Sequence, residues 1–317
     1  MTDPGTRLIP LFKALGDELR LRLLQVLGRD SYGVMELAEG FDVTQSGMSH
    51  HLKILAAAGL VDTRREGNSI FYRRLPLPPD APHAAIAQAL YGQLDGAPLP
   101  AAITAGLAAV NRARTLRSER FFLENAHKLE VQQDLIAAHS VYSAAALAAA
   151  AASAPARRRA LEVGPGAGEL LPGLCELFEH VTALDNSAEM LQRARQHCEA
   201  LPAGRVEFIL GTPQHLSVGD APFDCAVMNM VLHHTETPAD VMEQVAQALA
   251  PGGALVITEL CAHTQAWARD ACGDVWLGFA PADLAEWAQR AGLAQGQSSY
   301  LALRNGFQIQ IQQYHKP

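Results

Sequence analysis

The chain has no cysteine in its first half. The five it carries, at 175, 198, 225, 261 and 272, stand singly with no C-x-x-C pair. That spacing argues against a disulfide framework and against a thiolate zinc site. No apolar run reaches the ~20 residues that a bilayer crossing needs, and the first residues lack the basic flank and apolar core of a secretory leader. The expected address is therefore the cytoplasm. A positive charge balance is missing too, since the formal net charge is −8, which is unpromising for a nucleic-acid binder until it is divided along the chain. Residues 1–75 carry ten Lys/Arg against nine Asp/Glu, leaving fifteen against twenty-four for residues 76–317. The acidity belongs to the second part, while Arg64, Arg65, Arg73 and Arg74 cluster in the first, and local clustering is what phosphate contact needs. With 317 residues, 49% of them hydrophobic, the chain reads as soluble, globular and long enough for two domains.

The most informative stretch that is present is Leu161-Glu162-Val163-Gly164-Pro165-Gly166-Ala167-Gly168-Glu169. An apolar strand, Ala160 to Val163, enters three glycines at alternate positions, and Glu169 to Phe178 reads as a helix. Such a reversal brings bare backbone to the carboxyl end of a strand, where a ligand can sit. A second apolar run, Val181 to Leu184, ends at Asp185, where the neighbouring strand of a βαβ unit would offer a carboxylate to ribose hydroxyls. The spacing G-x-G-x-G, with an acidic residue two places before the first glycine, differs from the dinucleotide pattern G-x-G-x-x-G. It resembles motif I of class I S-adenosylmethionine-dependent methyltransferases, with Asp185 as their second acidic position.

Near the start, Asp17 can cap a helix with apolar positions Leu19, Leu23, Leu24 and Leu27 that stops at Gly28. A short helix, Val34 to Glu39, closes at Gly40. Thr44 can cap a second, Gln45 to Ala58, closed by Gly59. Met48, Leu52 and Leu55 share one face of it, and Gln45, Ser46, Ser49, His50 and Lys53 the other. Small or hydrogen-bonding side chains let such a helix approach base edges, so the pair reads as a helix-turn-helix. Val61–Arg65 and Ile70–Arg74 then flank Glu66-Gly67-Asn68-Ser69 as a cationic hairpin, a wing. The wording Ala14-Leu-Gly-Asp17, Thr44-Gln-Ser-Gly-Met-Ser-His-His-Leu52 and Ala58-Gly-Leu-Val61 is similar to the ArsR/SmtB winged-helix repressors. The resemblance implies a homodimer on a pseudo-palindromic double-stranded operator. The DNA-binding set would be Thr44, Gln45, Ser46, Ser49, His50, Lys53, Arg64, Arg65, Asn68 and Arg73. Members that sense metals use cysteines or Asp/His/Glu clusters this sequence lacks. His50 and His51 point about 100° apart on a helix, with His50 toward DNA and His51 partly packed, so no metal site is expected.

Leu75-Pro-Leu-Pro-Pro79 marks a boundary. Beyond it, Ala84–Leu94, Ala101–Leu116 and a third region from about Arg117 to Ala152 read as helical, the alanine run 144–152 serving as a spacer with little to pack against. By the methyltransferase resemblance Phe122, His127 or Tyr142 could cover a cofactor; packing between two domains is the alternative.

The rest of the chain alternates strands (Val181–Asp185, Val206–Leu210, Phe223–Asn229, Ala254–Leu260) with helices (Ser187–Ala200, one capped by Thr237 with Pro238 first and ended by Pro251-Gly-Gly253, and one from Pro281 to Gly292). It closes with Ser298–Leu303 and Phe307–Tyr314 around Asn305-Gly306, a strong hairpin signal. The expected architecture is α/β: a winged helix-turn-helix domain (1–78), a helical connector (79–152) for dimerisation and cofactor cover, and a Rossmann-like class I methyltransferase domain (153–317) with a C-terminal antiparallel hairpin. Leu249-Ala-Pro-Gly-Gly-Ala-Leu-Val256 and Asn229-Met-Val-Leu-His-His234 are similar to further motifs of that family. The resemblance implies S-adenosylmethionine or S-adenosylhomocysteine held by Glu162, Gly164, Gly166, Gly168, Asp185, Asn186, Met190, Gly211, Thr212, Asn229 and Met230. Gly211-Thr212 departs from the family's Gly-Asp, losing charge assistance toward the adenine amino group. His233 and His234 could supply a general base or shape the pocket floor, and the Trp276-Leu-Gly-Phe279 loop has the character of a ligand lid or a dimer contact. Two functions follow: a transcriptional regulator with the nucleoside as effector, as in the S-adenosylhomocysteine-responsive regulators that this architecture resembles, or a working small-molecule methyltransferase with an appended winged helix.

Overall fold

The computed structural model of the chain describes residues 4–66, 69–75, 84–125, 134–154, 156–216 and 222–317. It divides into two compact units, Met1–Leu116 and Arg117–Pro317. Asn68 and His127 lie outside the described residues, as does the side chain of Phe122.

The first unit begins with α1 (Pro4–Leu15) and α2 (Glu18–Leu27). Asp17 closes the first turn of α2, its Oδ1 accepting the Arg20 amide at 3.0 Å, which satisfies one of the open donors at a helix start. The strand β1 (Tyr32–Gly33) leads into α3 (Val34–Gly40), and after a tight connection α4 (Gln45–Ala57) starts at Thr44. β2 (Val61–Glu66) and β3 (Ser69–Arg74) pair antiparallel, and β1 adds to β3, giving the order β1-β3-β2. β1, which two residues are too short to signal by periodicity, was not expected. α5 (Ala84–Asp95) and the first part of α6 (Ala101–Asn125) complete this unit rather than forming a separate connector. Ala87, Tyr91, Leu107 and Val110 join Leu23, Leu24, Leu37, Met48, Leu52 and Leu55 in a single core. Gly106 is required here, because a Cβ on it would strike the carbonyl of Gly40 where α6 meets α3.

Two buried arginines hold the unit together. Arg74 makes two 2.7 Å bonds to the carboxylate of Asp95 and lies over the Tyr91 ring. Arg114 reaches Glu36 at 2.6 and 2.8 Å. The expectation that Arg74 belongs with the cationic wing is thereby corrected: its guanidinium is buried and paired, because the end of β3 turns it inward toward α5.

The second unit is a seven-stranded sheet in the order β6-β5-β4-β7-β8-β10-β9. Its strands are β4 (Arg159–Val163), β5 (His180–Asp185), β6 (Val206–Leu210), β7 (Phe223–Asn229), β8 (Leu249–Leu260), β9 (Ala294–Ala302) and β10 (Gln308–His315). The first five run parallel, and β10 pairs antiparallel with both β8 and β9. The parallel centre reads as continuous apolar runs because both of its faces are covered. The expected C-terminal hairpin is present. β8 starts at Leu249, so Pro251-Gly-Gly253 lies within the strand range instead of preceding it.

α7 (His139–Ser153), α8 (Leu171–Leu177), α9 (Ala188–His197), α10 (Pro238–Ala248), α11 (Trp267–Cys272) and α12 (Pro281–Arg290) accompany the sheet. Three expectations fail in detail. The third helical region is interrupted among the described residues: the chain leaves helical structure at residues 135–138, just before α7 begins at His139. The alanine run is core rather than spacer, since Ala146, Ala149 and Ala150 are buried against the sheet. Small side chains let the helix axis come close enough to exclude water. Finally, the Thr237 side chain makes no cap bond to α10.

Candidate functional site

The sheet order reverses at β4, whose neighbours β5 and β7 lead to strands on opposite sides. The crevice outside the carboxyl ends of β4 and β7 is where such a sheet binds ligands. The glycine loop leaves β4 at this point. Gly164, Gly166 and Gly168 have φ of +67°, +56° and +87°, and the Gly164 amide donates to Leu184 O at 2.8 Å. Each glycine meets a different need beyond its left-handed backbone. A Cβ on Gly164 would collide with Val231 in the loop after β7, and one on Gly168 would lie 2.8 Å from the Cα of Ala194 on α9. One on Gly166 would meet nothing within 4 Å, so the space beside that glycine is open.

Acidic and polar groups surround this loop. Asp185 ends β5 half-buried, with Oδ1 accepting the Ser187 amide at 2.8 Å. Burial raises its pKa to about 6, against the opposing effect of backbone donors from Ser187, Gly166 and Asn186. Glu162 is buried in β4, and burial, then the charge of Asp185, pushes it up to about 8. Near neutrality Glu162 thus carries a proton and can donate as well as accept. Among the described residues, Glu162 Oε2, Asn229 Oδ1 and Thr258 Oγ1 are buried without a hydrogen-bond partner. Asn229 and Thr258 stand opposite each other across β7 and β8. Met230 follows at φ +56°, a conformation costly for a side chain and met mostly where a site imposes it.

The structure brings together Glu162, the three glycines, Asp185 and Asn229–Met230 at the carboxyl ends of adjacent strands. Asn186 and Met190 lie at the start of α9, Asn186 exposed and Met190 buried with its amide on Ser187 Oγ at 3.3 Å. Gly211 and Thr212 follow β6, with the Gly211 amide on Asp185 O at 2.8 Å. Tyr142, on α7, is buried. Its hydroxyl is pushed well above the usual tyrosine value by burial and then by the charges of Glu169, Asp134, Glu259 and Glu162.

His233 and His234 are not presented as an open base. His233 is 3% exposed, with Nδ1 2.5 Å from Glu259 Oε1 and its amide donating to Glu259 Oε2 at 3.1 Å. Although burial opposes it, the carboxylates of Glu259 and Asp274 raise its pKa to about 9. His234 has Nδ1 3.4 Å from Gly273 O, and burial holds its pKa well below the ordinary value. Glu259 and Asp274 were missed from the sequence. A lone acidic residue inside the apolar run Ala254–Leu260 was the available signal for Glu259, whereas Asp274 is brought in by a loop with no local pattern. The Trp276–Phe279 segment is no exposed lid: Trp276 is 1% exposed, with Nε1 donating to Thr235 O at 2.7 Å, and Leu277 and Phe279 are buried too. Its aromatics fill the core beside α12.

In the first unit, Thr44, Gln45, Ser46, His50 and Lys53 are exposed on α4 and Ser49 half-buried, while Met48, Leu52 and Leu55 face inward. Thr44 also caps the helix, its Oγ1 accepting the Gly47 amide at 3.3 Å. His51 is partly packed, 3.6 Å from Asp17 Oδ1. On the hairpin, Arg65 is exposed, Arg64 is half-buried with its pKa lowered to about 10 by burial, and Arg73 lies 3.4 Å from Asp62.

Comparison with known proteins agrees with both geometries. Residues 15–64 match a helix-turn-helix domain family, and residues 161–257 match a methyltransferase domain family. The chain joins an ArsR/SmtB-type helix-turn-helix domain to a class I methyltransferase domain. The helix-turn-helix part is similar to a transcriptional repressor SmtB homolog of Synechocystis, 39% identical over 70 residues, covering 22% of this chain and 53% of that protein. The methyltransferase part is similar to a ubiquinone biosynthesis O-methyltransferase of Xanthomonas axonopodis, 30% identical over 154 residues, covering 44% of this chain and 64% of that protein. The chain thus spans less than two thirds of the length of either relative. Among solved structures, the 1,6-didemethyltoxoflavin-N1-methyltransferase of Burkholderia thailandensis, determined with 1,6-didemethyltoxoflavin and S-adenosylhomocysteine bound, aligns with a TM-score of 0.52 at 20% identity. That alignment covers 70% of this chain and 92% of the other, a likeness of fold. No helix among the described residues is long and apolar enough to cross a membrane.

Proposed function

We propose that the chain is a DNA-binding transcriptional regulator, acting as a cytoplasmic homodimer on a two-fold operator, whose methyltransferase domain binds S-adenosylmethionine or S-adenosylhomocysteine as effector. The observation that carries the ligand is the glycine loop with its buried, partnerless oxygens. Glu162 Oε2, Asn229 Oδ1 and Thr258 Oγ1 are costly to leave unsatisfied, and beside them Gly166 leaves open space. The residues present fit a nucleoside. Asp185 would accept from ribose hydroxyls, Glu162 and the glycine loop would hold the amino-acid portion, and Met190, Gly211 and Thr212 would border the adenine. When bound, S-adenosylmethionine supplies a methyl group on a sulfonium.

The exposed polar face of α4 and the wing arginines Arg64, Arg65 and Arg73 would meet bases and phosphates, respectively. A nucleoside can act as effector only by binding the operator-competent and incompetent forms unequally. The enclosure of His233 and His234 favours this reading over catalysis, because neither imidazole is offered to a proton-bearing acceptor. The second reading, an active methyltransferase, draws support from the similarity to an O-methyltransferase, and an acceptor without a proton to lose would need no base.

Calorimetry with S-adenosylmethionine and S-adenosylhomocysteine, on the whole chain and on Asp185→Ala, tests the nucleoside site. Binding that Asp185→Ala weakens at least tenfold is expected; binding untouched by the substitution contradicts the assignment. Transfer of labelled methyl groups into a cell extract would favour the enzyme over the regulator.

A further inference from the structure

The loop after β7 carries a cluster whose composition the nucleoside site does not use. His233, His234 and Asp274 each offer a ligand atom, and these atoms lie within 4.8 Å of one another. His233 Nε2 is 3.9 Å, and His234 Nδ1 4.0 Å, from Asp274 Oδ1. Asp274 is the unusual member. Its side chain is fully enclosed, yet among the described residues neither carboxylate oxygen accepts a hydrogen bond. Such a group is expensive to bury and calls for a cationic or donor partner.

We infer that His233, His234 and Asp274 bind one divalent cation of the zinc class. The donor set, two imidazoles and one carboxylate, suits first-row divalent ions rather than calcium or magnesium. The surroundings have the form that metal-binding histidines require. Nδ1 of His233 faces Glu259 at 2.5 Å, and Glu259 is itself fixed by the amides of His233 and Leu260. A histidine whose Nδ1–H donates to a fixed carboxylate presents Nε2 as a lone pair, the usual outer arrangement around a bound metal. Here that Nε2 is the atom nearer Asp274.

Ligand distances of about 2.0–2.2 Å require the three side chains to draw closer around the ion. The spacing of single residues hid this site: two adjacent histidines on a short turn become a triad only through Asp274, which lies in a distant loop held by the amides of Val275 and Trp276 on His233 O. The inference stands apart from the nucleoside site, and its test involves no nucleoside.

The test uses the full chain, stripped of metal and titrated with cobalt(II) as a visible probe, followed by X-ray absorption of the zinc-loaded protein. One tightly held cobalt per chain with ligand-field bands is expected. Asp274→Asn and His234→Gln should each weaken it at least tenfold, whereas His180→Gln, at the exposed start of β5, should leave it unchanged. The zinc spectrum should show nitrogen and oxygen neighbours with two imidazoles. A wild-type chain that retains no cobalt on dialysis overturns the inference. So does retention by both variants, or sulfur scattering near 2.3 Å, which would place the metal on cysteine. The wild-type absorption spectrum decides the matter should either variant fail to fold.

Discussion

Single residues in the glycine loop separate folding from binding. Gly164 and Gly166 share a left-handed backbone that costs a side chain about 1–2 kcal/mol, but their surroundings differ. Gly166→Ala places its methyl in open space, so about 1 kcal/mol of stability should be lost while nucleoside binding falls sharply. Gly164→Ala adds a collision with Val231 and should cost roughly 3 kcal/mol, the left-handed penalty plus overpacking. Paired thermal melts and calorimetry distinguish the two; equal losses of stability would contradict the geometry.

Glu162 sets a pH dependence. Its pKa rises from 4.5 unfolded to about 8 folded, so the stability it supports is fully present below 4.5 and is lost as pH climbs through about 8. Glu162→Gln removes that dependence. Its melting temperature relative to wild type, without nucleoside, should therefore rise between pH 4.5 and 8, and a flat difference would show that Glu162 is not enclosed as described. The glycines and both acidic residues were legible in the sequence because each sits at a fixed step from a strand end. Glu259, Asp274 and the packing role of Val231 were not, because they depend on which loops converge.

At the scale of elements, most helices and strands announced themselves by periodicity and caps. The failures have a common cause: packing reassigned residues whose local pattern was ambiguous. The alanine run of α7 lacks bulk and so read as a spacer, yet its small side chains bring the helix against β8 and β10. Ala150 is fully buried there. Ala150→Leu is thus expected to lose about 1–3 kcal/mol through overpacking, measured by denaturant unfolding; a neutral result would restore the spacer reading.

The hairpin gives a second contrast. Arg74→Ala should destabilise the first unit by about 2 kcal/mol, less than a fully buried pair because Asp95 keeps contact with water. Arg65→Ala, at an exposed position, should leave melting unchanged and lower DNA affinity, with a shallower salt dependence. Reversed roles would mean that the wing presents a different face to DNA.

For the molecule as a whole, the central claim is that one chain reads DNA with α4 and answers to a nucleoside at the glycine loop. A division into two parts was legible from the charge balance, but the proline-rich stretch after Leu75 that marked the expected boundary falls inside the first unit, which extends to Leu116. Placement of α5 and the early part of α6 with the first unit was not legible, since an amphipathic helix does not reveal which core it completes. The direct measurement is to select a duplex from a random library with the purified chain, then titrate binding at fixed salt with and without saturating S-adenosylhomocysteine. The account predicts a change in duplex affinity of at least fivefold, a typical allosteric coupling, that Asp185→Ala abolishes. Affinity that stays the same while the nucleoside is demonstrably bound would contradict it.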